Sequence, residues 1–274
     1  MARLTTSLRP PLRWAGSKRR LVPELCLAAP VQFVRYVEPF AGSACLFFAL
    51  RPQTAILNDL NRELVDFYRM LRAHPRLIAK RTLSLPDTAE FYYELRQTSA
   101  ESLPAIDRAA RFLYLNRHCF NGVYRTNRLG VFNVPRGIHT GSIPSETDLY
   151  RCSLLLRNAL LSAGDFEAVL QDVGPGDFVY LDPPYTAIDR KAYGEYGYGS
   201  FSEVDQERLL HALRRADAKG ATIILSYRYD PSMASSLDGW HYKQVLVRRH
   251  VAGFAGSRKL FAEMLLANFR LPEG

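Results

Sequence analysis

No uninterrupted apolar stretch in this 274-residue chain approaches bilayer length, and residues 1–13 lack the apolar centre of a secretory signal. A cytoplasmic protein is therefore expected. Cysteine is scarce: Cys26, Cys45, Cys119 and Cys152 form no Cys-x-x-Cys pair and meet no histidine at metal-like spacing. That spacing argues against a zinc site and against a disulfide framework. Internal repeats, low-complexity tracts and long linkers are missing as well. Acidic residues are outnumbered, 27 against 36 Lys and Arg, and the net charge of +9 suits a polyanionic partner, since phosphate neutralisation drives nucleic-acid affinity. The remaining composition, 47% hydrophobic and 23% charged, is that of an ordinary globular chain rather than a disordered one. Its length allows one large domain or one domain carrying an insertion, and the insertion is expected.

The chain is organised around Phe178-Val179-Tyr180-Leu181-Asp182-Pro183-Pro184-Tyr185. Its apolar start, rich in β-branched and aromatic residues, predicts a buried strand. Two prolines then end the strand because neither donates to a sheet ladder. An acid, a fixed turn and a ring are thereby gathered at a strand's C-terminal edge, where open α/β sheets bind ligands. A purely structural turn accounts for these residues equally well when they are taken alone. Residues 33–50 read as strand, turn with Gly42, then apolar helix, the unit that presents backbone amides to a cofactor, although G-x-G-x-x-G is lacking. A short strand over 54–57 leads to Asn58-Asp59-Leu60-Asn61, where Asp59 lies 17 residues beyond Gly42, near the spacing at which an acid holds ribose hydroxyls. Asp59 or Asn61 could equally cap the next helix. Upstream, Trp14 and Lys18 flank Ala15-Gly16-Ser17, a turn the backbone could bring close to a ligand; a basic surface segment is the alternative.

Helical periodicity takes over from about residue 73 to 150, with Phe91, Tyr92 and Leu95 in one pattern and Ala110, Leu113, Tyr114 and Arg117 in another. Residues 116–137 are polar, basic and punctuated by glycine. Asn121-Gly122 is a hairpin signal, and arginines mixed with asparagines and aromatics are what base edges, phosphates and unstacked bases require. The sheet is expected to resume over 155–162 and to continue at 178 and at 222–227. A closing antiparallel pair, 245–247 with 263–269, is expected to be joined across 253–259. Ser202 and Asp205 have the spacing of a capping box. The glycine and tyrosine loop at 191–199 could close over a bound base.

In this order, Arg13-Trp14-Ala15-Gly16-Ser17-Lys18, Glu38-Pro39-Phe40-Ala41-Gly42-Ser43, Asn58-Asp59-Leu60-Asn61, Leu115-Asn116-Arg117, Phe132-Asn133-Val134-Pro135 and Asp182-Pro183-Pro184-Tyr185 resemble the Dam-type N6-adenine DNA methyltransferases. The resemblance runs over nearly the whole chain. It implies an α/β fold: a Rossmann-like S-adenosylmethionine-dependent methyltransferase sheet with an inserted, mainly helical DNA-recognition domain. Residues 1–61 and 151–274 would form the catalytic domain and 62–150 the target-recognition domain. S-adenosylmethionine would be the methyl donor, contacted at Trp14, Lys18, Asp59 and Asp182, with Glu38, Phe40 and Gly42 on the same cofactor-facing turn and no metal. The implied partner is double-stranded DNA, with no membrane. The enzyme would be a nucleoid-associated monomer, either an orphan or paired with a cognate restriction endonuclease.

The implied chemistry explains these residue types. Adenine's amino nitrogen is a poor nucleophile because its lone pair is delocalised into the ring. Asp182 and the Pro183 carbonyl would accept its hydrogens, hold the nitrogen in line and stabilise the charge that develops on it, while Tyr185 stacks on the base. The amino group is out of reach inside a duplex, so the base must be flipped. By resemblance, Phe120 intercalates beside the flipped base and Asn121 stabilises the extruded state. Val123, Arg125 and Pro135 fall at GATC-reading positions, Arg96 and Asn127 at backbone-contact positions, and Arg13 replaces a DNA-contacting lysine. Phe120 and Val123 stand where Tyr and Leu are common, so the resemblance implies GATC or a related sequence as the site. Two alternatives stand beside this reading: N4-cytosine methylation, which usually goes with Ser in place of Asp182, and a catalytically inactive DNA-binding relative. No cysteine follows a proline, so the Pro-Cys nucleophile of cytosine C5 methylation is missing.

Overall fold

A computed structural model of the chain describes residues 8–127, 131–185, 201–250 and 258–272. Its centre is a seven-stranded sheet of β1 (Arg35–Glu38), β2 (Ala55–Asp59), β3 (Ala159–Ala163), β4 (Asp177–Leu181), β5 (Thr222–Arg228), β6 (His241–His250) and β7 (Arg258–Ala267). The spatial order is β3-β2-β1-β4-β5-β7-β6, in which β1 to β5 run parallel and β7 is antiparallel to both of its neighbours. β4 is buried at all five positions, as a central parallel strand covered on both faces must be. β1 pairs with β2 on one side and β4 on the other, so the winding direction reverses between β1 and β4. With Val37 paired to Val179, Glu38 and Asp182 leave their strands at the same edge of this switch point, the crevice where doubly wound sheets bind ligands.

Helices cover both faces. The larger core joins strand residues such as Tyr36 and Phe178 to α1 (Val22–Ala28), α2 (Cys45–Leu50), α3 (Arg62–Ala73), α4 (Pro75–Leu83), α6 (Ala105–His118) and α7 (Glu146–Leu156). The opposite core joins Val37, Val179 and Ile223 to α8 (Phe166–Leu170), α9 (Glu203–Ala218) and α10 (Pro231–Ser235). α3 lies on the sheet, where Arg69 and Arg72 donate to the Leu161 and Ala159 carbonyls. A third, smaller core gathers α5 (Ala89–Gln97), the end of α6 and the segment after it through Tyr92, Tyr114, Leu115, Cys119, Phe132 and Val134. No helix among the described residues is long and apolar enough to cross a membrane.

Two sequence-based expectations shift. Residues 155 and 156 end α7 instead of opening a strand. Ser145 caps that helix and Leu149, Cys152 and Leu156 recur on its buried face, so helical spacing wins until Asn158 turns the chain and β3 starts at Ala159. Asn121-Gly122 is a tight turn at the end of α6 and not a hairpin tip. The hairpin itself pairs Thr126 with Phe132, and Asn127 donates to the Val131 carbonyl. Ser202 and Asp205 do form the capping box of α9, and β6 and β7 form the closing antiparallel pair. The 191–199 loop and residues 253–257 of the expected connection lie outside the described residues.

Candidate active site and nucleic-acid interface

The acid that follows β4 meets a lysine from the N-terminal segment. Lys18 Nζ lies 2.6 Å from Asp182 Oδ1 and 3.7 Å from Glu263 Oε2 on β7, and it donates to the Tyr185 hydroxyl at 2.9 Å. Ser226 on β5 adds a contact to Asp182 Oδ1 at 3.3 Å and shares a 3.0 Å hydrogen bond with the Tyr180 hydroxyl. Lys18 and Glu263 are only 4% and 2% exposed, so this is an ion pair in a poorly solvated setting. Burial opposes the lysine's charge, but Asp182, Tyr185 and Glu263 together outweigh it and hold its pKa above the usual value. Burial pushes the Asp182 carboxyl upward while Lys18 opposes that shift. The Tyr185 ring stands edge-on to Tyr227 at 5.1 Å between centroids.

The turn after β1 forms the other wall of the crevice. Gly42 takes φ +46°, and a Cβ built there would stand 2.8 Å from Trp14 Cδ1, so no other residue fits without moving the indole. Asp59 closes the turn: Oδ2 accepts the Gly42 N–H and Oδ1 the Asn61 N–H, each at 2.9 Å, and burial raises its pKa. Asn61, not Asp59, is the cap of α3, its side chain accepting the Leu64 N–H. Glu38 is buried, accepts the Tyr36 hydroxyl at 3.0 Å and has its pKa pushed well up by burial. Phe40 faces a different way, into Phe166 and Phe201 of the opposite core. Asn58 Nδ2 ties the Pro39 and Gly164 carbonyls together beneath the turn.

The residues expected to meet DNA divide into two groups. Arg13 lines a cavity of about 450 Å³ with Arg9, Arg19, Arg117 and Asn121, and Trp14, Ser17 and Ser43 connect that cavity to the crevice. Burial and the neighbouring Arg13, Arg19 and Arg9 charges pull Arg117 down to about 10. Phe120 and Asn121 project from the turn after α6, Phe120 at 41% exposure, and Pro135 is exposed beside them, its carbonyl accepting the Phe120 N–H. Val123 and Arg125 are half-buried in the hairpin, and Asn127 is exposed. Arg96 is engaged internally, donating to the Asn133 and Val134 carbonyls and lying over the Tyr93 ring at 4.9 Å. The Leu115-Asn116-Arg117 stretch is a clamp: Asn116 accepts the Arg13 N–H and donates to the Arg13 carbonyl, tying the N-terminal segment to α6.

Thus Trp14, Lys18, Glu38, Gly42, Asp59, Asp182 and Tyr185 converge on the β1–β4 crevice, whereas Phe40 and Arg96 turn to packing and anchoring. Glu263 lies outside the residues expected from the sequence; it sits in the apolar run of β7, where a lone charged residue is the available signal of a buried, paired group. Ser226, fully buried on β5, carried no such signal.

Residues 14–250 match the family described as D12 class N6 adenine-specific DNA methyltransferase. The chain is 31% identical over 273 residues to the type II methyltransferase M1.LlaDCHI of Lactococcus lactis subsp. cremoris, covering 96% of each protein. It is 31% identical to the type II methyltransferase M.MjaIII of Methanocaldococcus jannaschii, over 96% of this chain and 99% of that one. The DNA adenine methylase of Escherichia coli strain K12 is 30% identical over 93% of each. A pattern that spans the crevice residues, the hairpin and most of the sheet, repeated in relatives of matching length, makes this chain a member of the D12 class of N6 adenine-specific DNA methyltransferases, a family that implies S-adenosylmethionine as methyl donor.

Proposed function

We propose that the chain methylates N6 of an adenine flipped out of duplex DNA, within GATC or a related sequence, with Asp182, the Pro183 carbonyl and Tyr185 acting on the reacting base. The observation that carries this is the Lys18–Asp182–Tyr185 cluster at the switch point of the sheet. Lys18 and Ser226 both engage Asp182 Oδ1, which leaves Oδ2 and the Pro183 carbonyl to accept the amino hydrogens. Those acceptors stabilise positive charge as it develops on the nitrogen, and their fixed positions spare reorganisation during transfer. Lys18 favours the ionised, accepting form of Asp182 against the effect of burial. Tyr185 stacks on the base, and transfer is direct, without a covalent enzyme intermediate or a metal.

The turn after β1 fits the methyl donor by the chemistry of its residues. Glu38, which is buried, and half-buried Asp59 can accept from hydroxyl and amino groups, Trp14 offers a ring wall, and Gly42 keeps the backbone close. Asn58 Oδ1 is buried without a hydrogen-bond partner among the described residues. When bound, S-adenosylmethionine supplies an electrophilic methyl group. Residues 1–61 with 151–274 act as the catalytic domain and 62–150 as the recognition domain, in which Phe120 intercalates beside the flipped base and Asn121 stabilises the extruded state. Arg13 and Asn127 hold the DNA backbone, Arg96 supports that surface, and Val123, Arg125 and Pro135 read the sequence. The enzyme works as a cytoplasmic, nucleoid-associated monomer. Its relatives named as type II methyltransferases favour pairing with a restriction endonuclease.

Asp182→Ala is expected to abolish transfer of labelled methyl groups to DNA while leaving DNA binding largely intact; retained turnover would show that the acceptor role is wrong. Mass analysis of nucleosides from treated DNA is expected to find N6-methyladenine, and N4-methylcytosine in its place would sink the assignment of the base.

A further inference from the structure

Arg125 and Asn133 face each other across the hairpin. Arg125 Nε donates to Asn133 Oδ1 at 2.9 Å, and the Asn133 N–H returns a 3.1 Å bond to the Arg125 carbonyl. Asn133 is itself anchored, since its carbonyl and that of Val134 accept from Arg96 of α5, and the Tyr92 hydroxyl also donates to the Val134 carbonyl at 2.9 Å. Phe132 and Val134, on either side of it, are buried in the small core. The guanidinium is thus attached through a continuous set of contacts to a packed helix.

From this geometry we infer that Asn133 is a positioning residue for sequence selection, aiming Arg125 at a base edge. The inference rests on Arg125 being a base reader. A guanidinium offers a rigid fork of donors, and a bidentate contact to guanine O6 and N7 uses two of them side by side. With Nε engaged by Asn133, the two terminal nitrogens are left as the pair that can point outward. An untethered arginine would lose rotamer freedom on meeting DNA and could direct the same charge to any nearby phosphate. Holding it in advance removes that ordering cost from binding and ties its donors to one direction. Only a side chain with an acceptor can do this at position 133, because Nε–H is a donor.

The test is to methylate a random-sequence duplex library with wild type, Arg125→Ala, Asn133→Ala, Asn133→Asp and the Arg125→Ala/Asn133→Ala pair, then sequence the modified adenines. Thermal melts of every variant confirm folding. Arg125→Ala is expected to relax preference at one base pair by roughly tenfold to a hundredfold. Asn133→Ala should relax the same base pair by a smaller factor, and the double variant should go no further than Arg125→Ala. Asn133→Asp, which keeps the acceptor, should keep the preference even if its overall rate falls. An unchanged preference in Asn133→Ala beside a relaxed Arg125→Ala overturns the positioning role alone, as does an equal loss of rate on all sequences. Unrelaxed preference in Arg125→Ala overturns base reading by Arg125 and the positioning role with it.

Discussion

Lys18 shows how much a single buried side chain can decide. Its ammonium faces Asp182, Tyr185 and Glu263 at once, so removing it leaves a carboxylate cluster with its main counter-charge gone. Breaking a buried ion pair by deleting one partner costs more than the pair contributes, because the remaining charge is stranded. Lys18→Met is therefore expected to destabilise the protein by about 3 kcal/mol at neutral pH. The sign of its pH dependence follows from burial, which already raises Asp182 above the usual carboxylate range while Lys18 opposes it. Without Lys18 the folded-state pKa climbs further, and a raised carboxylate pKa means stability lost as pH rises from the unfolded value through the folded one. The melting deficit of the variant should be smallest near pH 5 and widen toward pH 8; a deficit that is flat or narrows over that range would contradict the ion-pair account.

At the scale of elements, the N-terminal segment and the hairpin are locked together through one glycine. Gly122 adopts φ +68°, and a Cβ there would lie 2.5 Å from Arg13 Cβ, while Asn116 grips the Arg13 backbone from α6. Gly122→Ala should cost about 2 kcal/mol by thermal or denaturant unfolding, combining left-handed backbone strain with the clash. Gly122→Asn tolerates that backbone but keeps the clash, so it should be nearly as damaging; an asparagine variant as stable as wild type would mean that Arg13 yields easily. The Asn-Gly pair was legible as a turn, but which turn was not. A dipeptide reports local backbone preference, whereas the pairing of Thr126 with Phe132 goes with Phe132 and Val134 entering a core with Tyr92 and Tyr114. The start of β3 misled for a similar reason, since an apolar run ending a helix and opening a strand has no period of its own to mark the boundary.

Across the whole molecule, the cysteines test how the layers close. Cys45 beneath the turn after β1 and Cys152 on α7 are pushed up to about 12 by burial, and Cys119 at the end of α6 to about 11. Cys26 on α1 is raised too, but it is the least buried of the four. Native protein titrated with a chromogenic disulfide at pH 8 should therefore show one fast thiol, Cys26, and the full complement only after unfolding, because thiolates are the reactive form and these three are neither ionised nor reachable. Rapid reaction of Cys45 would mean that the crevice turn opens in solution.

The sequence by itself determined the strand-ending acids, the order of the motifs and the helical character of the stretch between β2 and β3, because these depend on apolar periodicity, proline's missing donor and the spacing of a few polar residues. Asp182 and Gly42 stand out in the sequence for that reason. Only the tertiary structure decided that Lys18 pairs with Asp182, that Glu263 and Ser226 approach from β7 and β5, that Arg96 braces the hairpin from within, and that Asn133 holds Arg125. Each of those contacts joins residues distant in the chain or across a turn whose register no local pattern specifies, and their partners are chosen by how the sheet and the small core pack.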